Sequence, residues 1–236
     1  MRSFAARSGE AEMMDGAEVS AADFAACLHD LARVNTVTVA RPPTLRWLAR
    51  ATARLLPGER FTLLDVGFGE GDMLRAVHRW ASQRGLVPVL TGVDLNPRSA
   101  PAAMAATDPA LGIDYRTGDV FEVGPAAAPD YIVSSMVTHH MGDDEVVKFL
   151  RWMEATARKG WYINDLNRHW IAFYGFRILA WAARWHAFVR HDGPVSVARS
   201  FRRADWERLL AAAGIDRNAV EVRWHLPFRL CVGRLK

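Results

Sequence analysis

Cysteine is almost missing from this chain of 236 residues. Cys27 and Cys231 are the only two, and no Cys-x-x-Cys pair occurs. That excludes a disulfide-stapled scaffold and fits reduced thiols in a cytoplasmic protein. Cys/His spacings of the metal-binding kind are absent as well, so the pattern predicts no metal site. No apolar run follows Arg2, which argues against a cleaved secretory signal. Charge of one sign is not concentrated anywhere. Lys and Arg number 30 against 26 Asp and Glu, and the arginines are scattered. Nucleic-acid partners call for basic residues clustered on one face, so this composition argues against them. Internal repeats are lacking. The one stretch apolar enough to suggest a membrane span, residues 169–189, carries Arg177 and Arg184 inside it. Charges at the centre of a bilayer are costly, and a transmembrane helix is rejected on that ground.

What is present is a strand, a glycine turn and a helix in succession. Residues 61–66 form a short apolar run that reads as a buried parallel strand, with Asp65 near its end. Gly67, Gly69 and Gly71 follow at alternate positions, and Asp72 is placed to cap a helix over 73–80. Such a turn lets backbone N–H groups approach a nucleotide-like ligand. A dinucleotide fingerprint spaces its glycines G-x-G-x-x-G. Here the pattern is D-x-G-x-G-x-G, which disfavours a nicotinamide-linked dehydrogenase. One βαβ unit later, residues 88–96 make a second apolar strand ending in Asp94, a carboxylate suited to both hydroxyls of a ribose. Residues 113–120, with Asp119, supply a third unit. Residues 130–137 supply a fourth strand, which runs into Thr138-His139-His140. A helix over 143–157 and a fifth strand over 161–166 follow. Two last strands, 220–225 and 228–233, are joined by Leu226-Pro227, too short a link for a parallel crossover. The alternation predicts an α/β fold with a doubly wound, mostly parallel sheet and an antiparallel hairpin at its end. Half of the residues are hydrophobic, enough for one sizeable core.

The four segments in this order, Asp65 to Gly71, Gly92-Val93-Asp94-Leu95-Asn96, the unit containing Asp119 and the strand ending at His139-His140, resemble class I S-adenosylmethionine (SAM) methyltransferases. They look most like the ubiquinone/menaquinone-biosynthesis-like and phenolic small-molecule O-methyltransferases. The resemblance is strong over residues 62–166 and loose elsewhere. It implies a Rossmann-like seven-stranded sheet with a helical lid, SAM as cofactor and a small molecule as partner. It further implies that Asp65, Gly67, Gly69 and Gly71 hold the methionine end, Asp94 and Leu95 the ribose, and Asp119 and Val120 the adenine, with Ser135 beside them. The Asp/Asn-Pro-Pro-Tyr/Phe motif of many enzymes that methylate bases or amides is not found. Ser134-Ser135-Met136-Val137-Thr138-His139-His140 stands in its place, which points away from those acceptors.

Residues 1–18 are small, polar and alanine-rich and read as a mobile N-terminal segment; residues 19–236 read as a single domain. Within it, 19–57 should hold two cap helices, one over 21–34 behind Ser20 and one starting at Pro42-Pro43. Residues 167–199 should form a lid. Trp170, Tyr174, Trp181 and Trp185 share one helical side, either as a core stripe or as an aromatic face lining the acceptor pocket. The lid's exit from the fifth strand favours the second. His139 and His140 lie where the methyl group should project. His140 is the favoured base for a hydroxyl acceptor, packing near the cofactor being the alternative. Asp165 is placed to orient a histidine or a substrate hydroxyl, with Asn164 and Arg168 in the same polar cluster; capping of the lid helix is the other reading. His191 sits in an expected turn, His191-Asp192-Gly193-Pro194, within reach of the pocket. The whole predicts methyl transfer to a small apolar, aromatic or polyketide-like acceptor at oxygen. Carbon methylation of a quinone-like ring and a non-catalytic SAM-binding scaffold are the alternatives.

Overall fold

The computed structural model describes residues 4–16, 19–122 and 128–236. Strands β1 (Arg60–Val66), β2 (Val87–Asp94), β3 (Asp114–Thr117), β4 (Tyr131–Ser135) and β5 (Gly160–Leu166) run parallel. Strands β6 (Glu221–His225) and β7 (Arg229–Leu235) form an antiparallel hairpin, with β7 pairing antiparallel to β5. The sheet order is β3-β2-β1-β4-β5-β7-β6, the seven-stranded fold expected from the sequence. Helices α1 (Ala21–Val37), α2 (Arg41–Ala51), α3 (Asp72–Ser82), α4 (Ser99–Ala105), α5 (Asp143–Thr156), α6 (Trp170–Ala182), α7 (Ala187–Arg199) and α8 (Arg203–Ala213) accompany it.

Alternation along β1 builds two cores. Phe61 and Leu63 pack with Trp47 and Leu48 of α2 and with Leu74 and Val77 of α3. Leu64 and Val66 point the other way, toward Phe149, Leu150 and Met153 of α5 and Trp206 of α8. Each such side chain stabilises the fold by roughly 1.5–3 kcal/mol, so the two layers together tolerate charges buried at the strand ends. The chain travels outward from β1 to β3 and then crosses back to β4 beside β1. That reversal opens a crevice at the carboxyl ends of β1 and β4, where ligands bind in sheets of this type.

Three local readings are corrected. Asp72 does not cap α3: the cap is Gly71, and the Asp72 carboxylate instead accepts from Arg41 Nε at 2.9 Å. His191-Asp192-Gly193-Pro194 is not a turn but lies inside α7. Proline's fixed φ suits a helix even though it forfeits one hydrogen bond. Gly193 is there for room, since a Cβ would fall 1.9 Å from Cε1 of Phe176 on α6. Finally, the aromatic stripe faces outward: Trp170, Tyr174 and Trp181 are exposed, and only Trp185 is buried.

The N-terminal segment, read as mobile from its composition, is packed in its described part. Ser8 N–H donates to the Ala198 carbonyl at 2.9 Å. The amides of Met13 and Met14 donate to the Asp192 carboxylate at 2.8 and 2.9 Å. Arg7 lies over the Phe201 ring, pairs with Asp143 at 2.7 Å and donates to the carbonyls of His139, Met141 and Arg199. Residues 4–16 thus form a strap across α7 and the end of β4.

Candidate active site

A single cavity of about 660 Å³ runs from the glycine turn to the strap, within the ~300–1,000 Å³ usual for small-molecule sites. Its first end is built by the β1 turn. Gly67 has φ +72°, and a Cβ on it would sit 2.3 Å from Val137 Cγ2. Gly71 starts α3 at φ +77°, where a Cβ would strike the Tyr115 ring. Both glycines are therefore demanded by conformation and by space. Gly71 stands behind the wall, whereas Asp65, Gly67, Gly69, Asp94, Leu95 and Ser135 line it.

Asp94 accepts from the amides of Gly69 and Asn96 at 3.0 and 2.9 Å, which fixes its carboxylate at the crevice. Asp65 is fully buried, and its Oδ1 has no hydrogen-bond partner. Burial, reinforced by the charges of Asp72 and Asp94, holds its carboxyl well above the usual range. An orphaned carboxyl group among like charges is a site waiting for a cation or a donor. SAM fits that donor set: it carries an ammonium, a sulfonium and a ribose diol. Asp119 and Val120 lie off the cavity wall. Asp119 accepts from the Phe121 amide at 2.9 Å, and Val120 is buried in the core.

The other end is assembled from distant residues. After β4, one helical turn carries Thr138, His139 and His140. Asp165, fully buried at the end of β5, accepts from the amides of His139 and Leu166 and from the Thr138 hydroxyl. Its Oδ1 lies 2.7 Å from His139 Nδ1. Burial pushes the Asp165 carboxyl up, but His139 and these donors outweigh it and bring it down to about 2. The His139 and His140 rings lie against each other with centroids 4.4 Å apart, and both line the cavity. Arg199 holds their carbonyls, through Nε on His139 at 3.1 Å and Nη2 on His140 at 2.9 Å.

Glu12 of the strap, side chain 2% exposed, faces both rings. Its Oε1 is 3.6 Å from His139 Nε2 and its Oε2 is 3.8 Å from His140 Nε2. Glu12 escaped the sequence reading because nothing in an alanine-rich segment marks it. Arg229 of β7 was also missed. It is buried in the cavity wall, donates to Asn164 Oδ1 at 3.2 Å and leaves Nε without a partner. Burial lowers its guanidinium from the usual value.

The remaining expected substrate residues lie elsewhere. Asn164 is buried behind the wall and ties β5 to the start of α2, donating to the Ala40 carbonyl at 2.8 Å and Thr44 Oγ1 at 3.0 Å. Arg168 is buried and spent on the carbonyls of Phe4, Ala5 and Ser200 and on Asp205. Trp170 lies on the outside; Tyr174, Trp181 and His191 border a separate shallow groove. The lid does contribute an apolar face, but through Ile171, Ala172, Gly175, Phe176 and Leu179, the opposite side of α6.

A family model described as a methyltransferase domain matches residues 41–217. The ubiquinone biosynthesis O-methyltransferase of Bradyrhizobium diazoefficiens is 30% identical over 142 residues, 55% of this chain and 53% of that protein. The chain thus spans about half the length of that curated relative. Among solved structures, human N-acetylserotonin methyltransferase in complex with SAM superposes with a TM-score of 0.59 at 16% identity, over 92% of this chain and 56% of that one. Magnesium protoporphyrin IX methyltransferase from Synechocystis with bound SAH gives 0.54 at 15%, over 87% and 84%. These two likenesses speak for the fold. No helix among the described residues is long and apolar enough to cross a membrane.

Proposed function

The chain belongs to the methyltransferase-domain family, whose cofactor is SAM, and we propose that it methylates a small, apolar, aromatic or polyketide-like acceptor at a hydroxyl oxygen. One observation carries this reading: a single cavity joins an orphaned acidic end to an oriented histidine end across an apolar middle. At the first end, Asp94 takes the ribose hydroxyls, Asp65 faces the cationic methionine portion, and Gly67, Gly69, Leu95 and Ser135 form the surrounding wall. Gly71, Asp119 and Val120 act from behind, through the shape of the turn and of the β3 end. SAM, when bound, supplies a methyl group already activated by a sulfonium.

The protein's own task is then positioning and proton handling. Phe176 and Leu179 hold the acceptor's apolar body, and the His139–His140 wall receives the hydroxyl that loses its proton. Asp165 is the positioning residue. By accepting at Nδ1 it turns the His139 Nε2 lone pair toward the cavity.

Calorimetry with SAM, followed by incubation of phenolic acceptors with methyl-labelled SAM and mass analysis of the product, tests the reading. Labelled methyl ethers are expected. SAM binding unchanged in Asp94→Ala would defeat the cofactor assignment. Label on ring carbon alone would defeat the oxygen assignment.

A further inference from the structure

We propose that Glu12, His139 and His140 bind a divalent transition-metal ion, Zn²⁺ best matching their chemistry, at the acceptor end of the cavity. Each residue offers one donor atom, and the three atoms lie within 4.8 Å of one another. Donors about 2.1 Å from a tetrahedral ion stand roughly 3.4 Å apart. The carboxylate–imidazole separations, 3.6 Å from Oε1 to His139 and 3.8 Å from Oε2 to His140, are close to that, and the three donors must draw in from within 4.8 Å of one another onto the ion.

The tautomer is already correct. Asp165 holds the ring proton of His139 on Nδ1 at 2.7 Å, which leaves the Nε2 lone pair facing Glu12. Ser196 Oγ donates to Glu12 Oε1 at 2.9 Å, and a proton or an ion between the carboxylate and the facing lone pair would relieve the repulsion that remains in this buried site. A carboxylate behind a histidine is also the usual outer support of a metal ligand. Two imidazoles and one carboxylate suit Zn²⁺ better than Mg²⁺, which prefers oxygen throughout. The fourth position faces the cavity, as in sites that bind a substrate oxygen.

Sequence spacing hid the site, because Glu12 arrives on the strap and the histidines on the helical turn after β4. The ion would fasten the strap to the sheet. It would also bind the acceptor's hydroxyl oxygen and favour its deprotonated form. The O–H bond breaks with its proton leaving through the cavity mouth to solvent; the O–CH3 bond then forms as the C–S bond of the SAM sulfonium breaks, its electron pair staying on sulfur, which leaves as the neutral thioether. This second role rests on the methyl-transfer reading, whereas binding of the ion does not.

The test is titration of the chelator-stripped full chain with Zn²⁺ by calorimetry, and with Co²⁺ by visible absorption, without SAM or acceptor. One equivalent should bind, with the ligand-field bands of a nitrogen- and oxygen-bound Co²⁺. His140→Ala, at a half-buried position that can change without emptying the core, should abolish stoichiometric binding. Asp165→Asn should weaken it about 10–100-fold, an effect that a purely structural aspartate would not have on a folded variant. Circular dichroism verifies folding in each case. No stoichiometric binding by the folded wild-type chain would overturn the proposal and leave a proton between Glu12 and His139. Unchanged affinity in His140→Ala would overturn it too, by placing the ion elsewhere. Binding without methyl transfer to any acceptor would uphold the ion and defeat the functional reading instead.

Discussion

Asp65 and Asp165 are both fully buried aspartates near the carboxyl ends of parallel strands, yet their electrostatics are opposite. Asp65 lies among acidic neighbours with one oxygen unpartnered, and its carboxyl is held well above the ordinary range. Asp165 is surrounded by donors and held down at about 2. The first is a group that the protein leaves incomplete, which is why we propose that a cationic ligand completes it. The second is complete within the protein and stiffens a histidine. One cavity thus has an end that gains order on binding and an end ordered beforehand.

The largest expected effect separates the two ends. Asp165→Asn should lower turnover about 10²–10⁴-fold while SAM affinity stays within a factor of two, measured by steady-state kinetics and calorimetry on the same preparation. A matched loss of SAM affinity would merge the two ends into one unit. Next, Asp94→Ala removes charge-assisted bonds to a diol, each worth ~1.5–3 kcal/mol, so SAM affinity should fall at least ~100-fold. Binding of an acceptor analogue should hardly change.

Acid unfolding gives the third contrast, through sign. The Asp165 carboxyl is depressed in the folded state, so its stabilisation is complete above the unfolded value of about 3.9. It is lost as pH falls through about 2. The contribution is on the order of 2–3 kcal/mol, and denaturant melts should show that acid dependence flattened in Asp165→Asn. Asp65 has the reverse sign. Its folded carboxyl is raised, so stability falls as pH rises from about 4 through the folded value. Asp65→Asn should therefore raise the melting temperature of the ligand-free chain by about 2–4 °C per kcal/mol relieved, while weakening SAM. A lower melting temperature would show that Asp65 is satisfied without ligand. The smallest effect concerns the lid. Trp181→Ala, on the outer face of α6, should change stability by less than ~0.5 kcal/mol and leave the acceptor KM as it is. Phe176→Ala, on the inner face, should raise that KM.

The same division explains what could be read beforehand. Asp65, the glycine turn and Asp94 lie within one βαβ unit, and the Gly69–Asp94 bond spans 25 positions. Local patterns in this region carry both fold and chemistry. At the other end, the Ser196–Glu12 bond spans 184 positions, and no pattern near Glu12 announces it. Gly193-Pro194 looked like a breaker because its purpose, room for Phe176, belongs to a partner helix. Trp170, Tyr174 and Trp181 do share the outer side of α6, but Trp185 lies beyond the end of that helix and is buried. Spacing does not say whether a side faces in or out: on α6, Ala172, Phe173 and Phe176 pack, whereas the tryptophans do not.

The strap also imposes a schedule on the molecule's birth. It is made well before its anchor on α7, which follows 179 residues later, as the Met13–Asp192 bond shows. Sequence-distant contacts of this kind form late, and domains emerge N-terminus first. The glycine turn can find Asp94 while translation continues. Glu12 must wait, solvent-exposed, until α7 and its Ser196 have been made. The glycine-turn end of the cavity is therefore local in the chain, whereas the histidine end closes only after its distant anchor exists.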